Sequence, residues 1–244
     1  MEFNDFYQYC KLVFENNPTL PTVSQENAQK LFDLTSIMLE TNKSMNLTAI
    51  KDEKSIVLRH YADSLMISKY ISKGSTVIDV GCGAGFPTLP LAIFRPDISI
   101  TALDSTAKRI DYVNRAAKHL DLKNVCGIAA RAEELANDRQ YRERFDIATA
   151  RAVAALPILA ELCIPFVKID GYFVAMKGQR GDEELLSSKN AITKCGGALL
   201  SHDQTPLRAP DGSEESRSIF SIRKVASTPR ELPRHFSKIS KKPL

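Results

Sequence analysis

The run Asp79-Val80-Gly81-Cys82-Gly83-Ala84-Gly85-Phe86-Pro87 limits what this chain can fold into more than any other stretch. It follows Ser75-Thr76-Val77-Ile78, a short β-rich segment, and its glycines cannot extend that segment as a packed strand. Glycines so placed belong where a strand turns sharply into a helix and a ligand must approach the backbone. Downstream the pattern alternates: helix from about Pro87 to Phe94, strand Ile98 to Leu103, helix Ala107 to Leu120, strand Val125 to Ala129. It continues with helix Ala132 to Asn137, strand Phe145 to Ala150, helix Leu156 to Val167 and strand Tyr172 to Met176. A helix over Glu183 to Lys194 and strands over Ala198 to Ser201 and Ser218 to Lys224 complete it, with turns at Gly196-Gly197 and Pro210-Asp211-Gly212. Strands alternating with helices at this spacing predict an α/β, Rossmann-like fold: a mostly parallel sheet of seven strands with helices on both faces.

Ahead of that unit the apolar spacing is helical. Phe3, Phe6, Tyr7, Cys10, Val13 and Phe14 predict one helix ending near Asn16-Asn17-Pro18. A second should begin with Ser24 near its cap and run through Leu31, Leu34 and Met38, followed by a turn-rich loop over Asn42 to Thr48 and a third helix over Lys54 to Tyr70. The expected organisation is an N-terminal helical extension (1–70), a core (71–225) and a basic C-terminal tail (226–244).

A dinucleotide fingerprint would place a pyrophosphate on the helix N-terminus and needs G-x-G-x-x-G. Here Gly85 comes one residue early and Phe86 takes the expected glycine place. Asp79, just ahead of the loop, would also repel a pyrophosphate. Acid-x-Gly-x-Gly-x-Gly instead suits a phosphate-free nucleoside with a cationic amino acid–sulfonium part, which S-adenosylmethionine fits. Asp104 closes the second strand, where a carboxylate can accept the hydroxyl protons of a ribose. The bland alternative for the loop is a tight turn with solvated acids. Arg131-Ala132-Glu133-Glu134 follows the third strand, where adenine would lie, although acids there also suit a helix N-terminus alone. Arg151, alone in Ala150-Arg151-Ala152-Val153-Ala154, faces the methyl side and needs a partner once partly buried.

The cysteines Cys10, Cys82, Cys126, Cys163 and Cys195 are scattered and the histidines lie far apart, so no metal site is expected and the thiols read as reduced. Met1-Glu2-Phe3-Asn4-Asp5 lacks a basic lead into an apolar run, and Pro157, Glu161, Pro165 and Lys168 interrupt the longest apolar stretch. A cytoplasmic protein without membrane association is expected. The formal net charge is +4, yet the segment from Arg223 to Leu244 holds seven basic residues against one acid, Glu231. Such an end suits a phosphate-tracking surface as well as a frayed, solvated terminus.

Several stretches in one order resemble the RsmG family, also called GidB. They are Asp79 to Pro87 with Leu89-Pro90-Leu91-Ala92, Asp104-Ser105, Lys108-Arg109, Arg131 to Glu134, Arg151 to Ala154 and Ala175-Met176-Lys177-Gly178. Asn46-Leu47-Thr48-Ala49-Ile50 and His60-Tyr61-Ala62-Asp63-Ser64-Leu65 match before the glycine loop, and Lys241-Lys242-Pro243-Leu244 echoes the family's end. The resemblance implies a class I methyltransferase that uses S-adenosylmethionine to methylate guanine N7, at position 527, in 16S rRNA of the small ribosomal subunit. The alternative is a methyltransferase of small molecules or proteins. Cofactor contacts are expected at Asp79, Gly81, Gly83, Gly85, Phe86, Asp104, Ala132, Glu133 and Arg151, with Arg151 also orienting the reaction. RNA contacts are expected at His60, Lys177, Arg234, Lys241 and Lys242, supported by Arg180, Arg59, Lys43 and Lys51, and the protein as a monomer. His60 and Asp63, three apart on one helix face, read more readily as a surface pair than as part of an RNA pocket. Leu232 to Ser237 lacks the family's usual glycine, and Thr88 stands where glycine or serine is common. Truncation after Val225 is expected to weaken RNA binding and leave cofactor affinity intact.

Overall fold

A computed structural model describes residues 1–151, 153–178 and 181–244. Among these, β1 (Thr76–Val80), β2 (Ser99–Asp104), β3 (Val125–Ala129), β4 (Phe145–Arg151), β5 (Val167–Lys177), β6 (Gly197–Arg208) and β7 (Glu214–Lys224) form one sheet. Its order is β3-β2-β1-β4-β5-β7-β6. The first five strands pair in parallel, and β7 runs antiparallel to both β5 and β6. β1 lies between β2 and β4, and Val77, Ile78, Asp79 and Val80 are all buried. Its apolar run reflects that position, since a strand covered on both faces has no solvent side.

The helices are α1 (Phe3–Glu15), α2 (Gln25–Met45), α3 (Glu53–Ile56), α4 (Asp63–Leu65), α5 (Thr88–Phe94), α6 (Ala107–His119), α7 (Ala132–Leu135), α8 (Leu156–Cys163), α9 (Gly181–Lys194) and α10 (Phe236–Lys241). α1 buries Phe6, Cys10, Val13 and Phe14, with Phe6 set edge-on to Phe32 of α2 at 5.3 Å. Phe14 stacks on Phe94 of α5 at 5.5 Å, so the N-terminal helices join the core on one face of the sheet. Ser24 caps α2 by accepting from the Asn27 N–H, and Asn46 ends it in the left-handed conformation. A second core, on α8, α9 and the closing segment, includes Leu159, Phe166, Phe220, Leu232 and Ile239.

Three boundaries differ from the sequence reading. The expected helix over 54–70 is broken by a π-helical turn, Val57–Ala62, which widens the backbone where His60 and Tyr61 enter the core. The helix from Leu156 stops at Cys163, and Pro165 sits in the short 3-10 turn Ile164–Phe166 that leads directly into β5. β6 and β7 are much longer than expected. His202, Asp203, Gln204 and Pro206 show no apolar alternation, yet they pair in register with β7. β6 is the sheet edge, where a proline is tolerated. No described helix is long and apolar enough to cross a membrane.

Candidate active site

A cleft of about 420 Å³ opens at the C-terminal ends of the central strands. The sheet order reverses there between β1 and β4, the place where parallel α/β sheets leave room for a ligand. After β1 the chain stays bound to β2: the Gly81 and Cys82 N–H groups both donate to the Leu103 carbonyl, at 2.7 and 3.0 Å. Gly81 has φ +77, and a Cβ there would come within 2.7 Å of the Val153 side chain. Gly85 has φ +83, with Leu89 2.6 Å from where its Cβ would be. Glycine is therefore required at both positions by conformation and by space.

Of the residues expected to contact a cofactor, Gly81, Gly83, Phe86, Asp104, Ala132, Glu133 and Arg151 line the cleft. Asp104 is 5% exposed; its carboxylate accepts from the Gly83 N–H at 3.1 Å and the Thr106 N–H at 2.8 Å, with Arg109 at 3.5 Å. At the other end Glu133, buried, accepts from the Phe236 N–H at 3.3 Å, which brings α10 onto the cleft wall. Asp79 and Gly85 stand behind the wall rather than in it. Asp79 is fully buried, and its Oδ2 accepts from the Thr88 hydroxyl at 2.6 Å and the Thr88 N–H at 3.2 Å. Thr88 is thus the partner of this carboxylate. Burial pushes the Asp79 carboxyl up to about 6, against the pull of Thr88. Its Oδ1 is buried with no partner among the described residues.

The N-terminal region also contributes to the cleft lining through Leu47, Thr48 and His60. The His60 ring stacks on Phe86 with centroids 4.5 Å apart, and the Arg151 guanidinium lies 5.4 Å from the same ring centroid. Arg151 donates to Asp63 Oδ2 at 2.7 Å and to the Arg59 carbonyl at 2.9 Å, which supplies the partners a half-buried guanidinium needs. Asp63 also accepts from Arg217 at 2.6 Å. Glu215 in turn accepts from Arg217 and from Arg59. Three guanidinium groups thus share two carboxylates beside the cleft, leaving that rim cationic. Burial and, next, the charge of Arg151 hold the His60 imidazole down to about 4, so it is neutral near pH 7. The two residues are not a surface pair: Asp63 and His60 are both buried.

An orphaned carboxylate oxygen at Asp79 behind the loop and the acids Asp104 and Glu133 in the cleft suit a cationic nucleoside, while Arg109, Arg131 and Arg151 line the same cleft. The family model of rRNA small subunit methyltransferase G (GidB) matches residues 27–207. The chain belongs to that family. The ribosomal RNA small subunit methyltransferase G of Clostridium perfringens is 43% identical over 223 residues, covering 91% of this chain and 92% of the relative. That of Halalkalibacterium halodurans is 42% identical over 209 residues, covering 85% and 87%. Among solved structures, TYW2 of M. jannaschii in complex with AdoMet aligns with TM-score 0.50 at 19% identity over 67% of this chain and 77% of that one. A SAM-dependent methyltransferase from Methanosarcina mazei aligns at 0.51 and 15% identity, over 66% and 98%. These two share the Rossmann-like fold.

The positions expected to contact RNA are not brought together in one place. His60 lines the cleft, while Lys177, nearly buried, donates to the Ala154 carbonyl at 2.7 Å and pairs with Glu184 at 2.8 Å. Arg234, expected to meet RNA, turns inward: its guanidinium forks on the fully buried Glu161 at 2.8 and 2.6 Å. Lys241 and Lys242 are exposed at the end of α10, and Lys43, Lys51 and Arg59 are exposed around the N-terminal wall. Arg180 and Ala152 lie outside the described residues. Sequence reasoning gave no role to Asn42, Thr48 or Phe236. Thr48 lies within Asn46 to Ile50, and Phe236 carries no charge to single it out in a basic segment.

Proposed function

We propose that this protein transfers a methyl group from S-adenosylmethionine to N7 of a guanine in 16S rRNA of the small ribosomal subunit, position 527 being the one the resemblance implies. The observation that carries this reading is the cleft itself: a glycine loop without cations, flanked by Asp104 and Glu133, with Arg151 in the lining and Arg59 and Arg217 linked to it through Asp63 and Glu215. Acidic groups suit the donor and cations suit a nucleic acid backbone. Membership of a family described by small-subunit rRNA methylation supports the substrate class.

When bound, the cofactor supplies a methyl group on a sulfonium, an electrophile that needs only a lone pair in line with it. Asp104 is placed to accept from ribose hydroxyls, and Ala132 and Glu133 bound the adenine end. Arg151, held by Asp63 and by the Arg59 carbonyl, closes the methyl side and keeps Phe86 and His60 in a fixed stack. Guanine N7 carries a free lone pair on its Hoogsteen edge, so no proton has to leave before attack. His60, neutral and hydrogen-bonded, serves the shape of the pocket and not as a base. The rate then comes from alignment and exclusion of water. Lys51, Lys43 and Arg59, with Lys241 and Lys242, would position phosphates while the target base is lifted from its stack.

The test is transfer of tritiated methyl to small subunits and to deproteinised 16S rRNA from cells lacking the protein, followed by chain cleavage at N7-methylguanine. Label at one guanine is expected. Label on protein or small molecules only would replace this reading with the alternative substrate class.

A further inference from the structure

Thr48 lies in the loop after α2, on the same wall as His60 and Arg151. Its surroundings determine both where it sits and where its proton goes. The buried Asn42 amide accepts from the Thr48 N–H and donates to the Thr48 carbonyl, each at 2.9 Å. The Thr48 hydroxyl oxygen accepts from the Ile50 N–H at 3.1 Å and lies 2.8 Å from His60 Nε2.

His60 resolves the direction of that last bond. Its Nδ1 faces the Arg151 guanidinium at 3.5 Å, and a guanidinium can only donate. With that contact as a hydrogen bond, the imidazole lone pair is on Nδ1 and its one proton on Nε2, which donates to Thr48. A hydroxyl has two lone pairs and one proton. Ile50 and His60 occupy both lone pairs of Thr48, and the proton is left to the cleft that Thr48 lines. Arg151, on the same wall, places its Nη1 hydrogens on Asp63 and the Arg59 carbonyl.

We propose that the Thr48 hydroxyl is a preset donor to O6 of the target guanine and selects that base over adenine. The inference rests on the guanine-N7 reading above. Guanine presents two neighbouring acceptors, O6 and N7, on its Hoogsteen edge, whereas adenine puts an amino group where O6 would be. A donor satisfied by O6 holds the base and leaves the N7 lone pair free to react. Against adenine, two donors would face each other, and a buried unpaired donor is costly. Asn42 and His60 are positioning residues: they act on the base only through Thr48.

The experiment measures methyl transfer to small-subunit rRNA carrying either guanine or 2-aminopurine at the target. The second base keeps N7 and lacks O6. With guanine, Thr48→Val should lower kcat/KM by ~10- to 100-fold, and Thr48→Ser should stay within about threefold of the natural protein. With 2-aminopurine the natural protein should itself fall by about the same factor, and Thr48→Val should fall no further. A natural protein indifferent to the loss of O6 overturns the proposal, even if Thr48→Val does not fold. So does an equal loss by Thr48→Val on both bases, which would mark a role in loop structure alone. Absence of any N7 methylation by the natural protein would instead remove the underlying reading.

Discussion

Two regions outside the central strands close the two ends of the cleft, and they are held in place by different physics. The N-terminal wall combines apolar packing and neutral hydrogen bonds (Phe14 on Phe94, the Asn42 amide on Thr48, Thr35 with Tyr61 at 2.7 Å) with the half-buried ion pairs of Asp63 and Arg59 at the rim. The C-terminal wall is fastened by cations directed inward. Arg142 donates to the carbonyls of Ala136, Thr228, Pro229 and Leu232. Lys224, fully buried, reaches Glu143 at 3.1 Å as well as the Ile164 and Cys195 carbonyls, and Arg234 meets Glu161. A run of positive charge at a chain end therefore divides into two populations: residues that pin the segment to the core, and residues such as Lys241 and Lys242 that remain in water. Lesions on the two sides should fail differently.

The largest effect is expected from truncation after Val225. It uncovers Glu161, removes buried Leu232 and Ile239, and takes Phe236 from the cleft. Cofactor affinity and stability should fall together with RNA binding, whereas charge alone suggested that cofactor affinity would stay intact. Breaking one buried ion pair by itself costs ~3–5 kcal/mol. An unchanged denaturation midpoint and unchanged calorimetric cofactor binding would show that the C-terminal wall is dispensable.

Next in size, Arg234→Ala should destabilise by ~3 kcal/mol by leaving a wholly buried carboxylate uncompensated. Joint replacement with Glu161→Leu should recover most of that loss in urea titrations. If the double variant is no more stable than the single one, the ion pair is not what anchors the segment.

A lesion on the N-terminal side should spare the donor. Asn42→Ala removes both bonds to the Thr48 backbone and should lower kcat by ~10-fold while cofactor affinity stays within about twofold. Matched losses in both quantities would erase the distinction between the two walls.

The smallest effect concerns pH. Asp79 is raised from 3.8 to about 6, so the folded chain holds this proton more tightly than the unfolded one. Its contribution to stability is full below 3.8 and is lost as pH rises through 6. His60 has the opposite sign: with its folded value lowered from 6.5 to about 4, its contribution is full above 6.5 and declines as pH falls toward 4. A cationic ligand should favour ionised Asp79, so cofactor binding should weaken below pH 6 and release a fraction of a proton there. Calorimetry in buffers of different ionisation heat reads that fraction. No release at pH 5.5 in Asp79-containing protein would separate this carboxylate from the cofactor.

Much of the parallel half of the fold was legible because its signals are local. β1 to β4 are short apolar runs ended by glycine, acid or polar turns, and each lies within a few residues of its expected span. The cleft positions Gly81, Gly83, Asp104 and Glu133 follow from the same logic, since a parallel sheet sends its strand ends to one rim. The longer β6 was not legible, because Ser201 to Arg208 is extended by its partner β7 rather than by any alternation of its own. The π-helical turn at Val57–Ala62 has no periodic signature, as its sequence repeats like an ordinary helix.

By itself the amino-acid order determined the strand-loop-helix unit, the acids at its rim and the lack of a diphosphate cradle, all properties of neighbours in the chain. Only tertiary structure decided that Thr88 would partner Asp79, that His60 would be neutral between Thr48 and Arg151, and that Arg234 would turn away from solvent onto Glu161. The reason is desolvation. The charge and proton position of a polar group depend on which distant groups share its burial, and that is a property of packing.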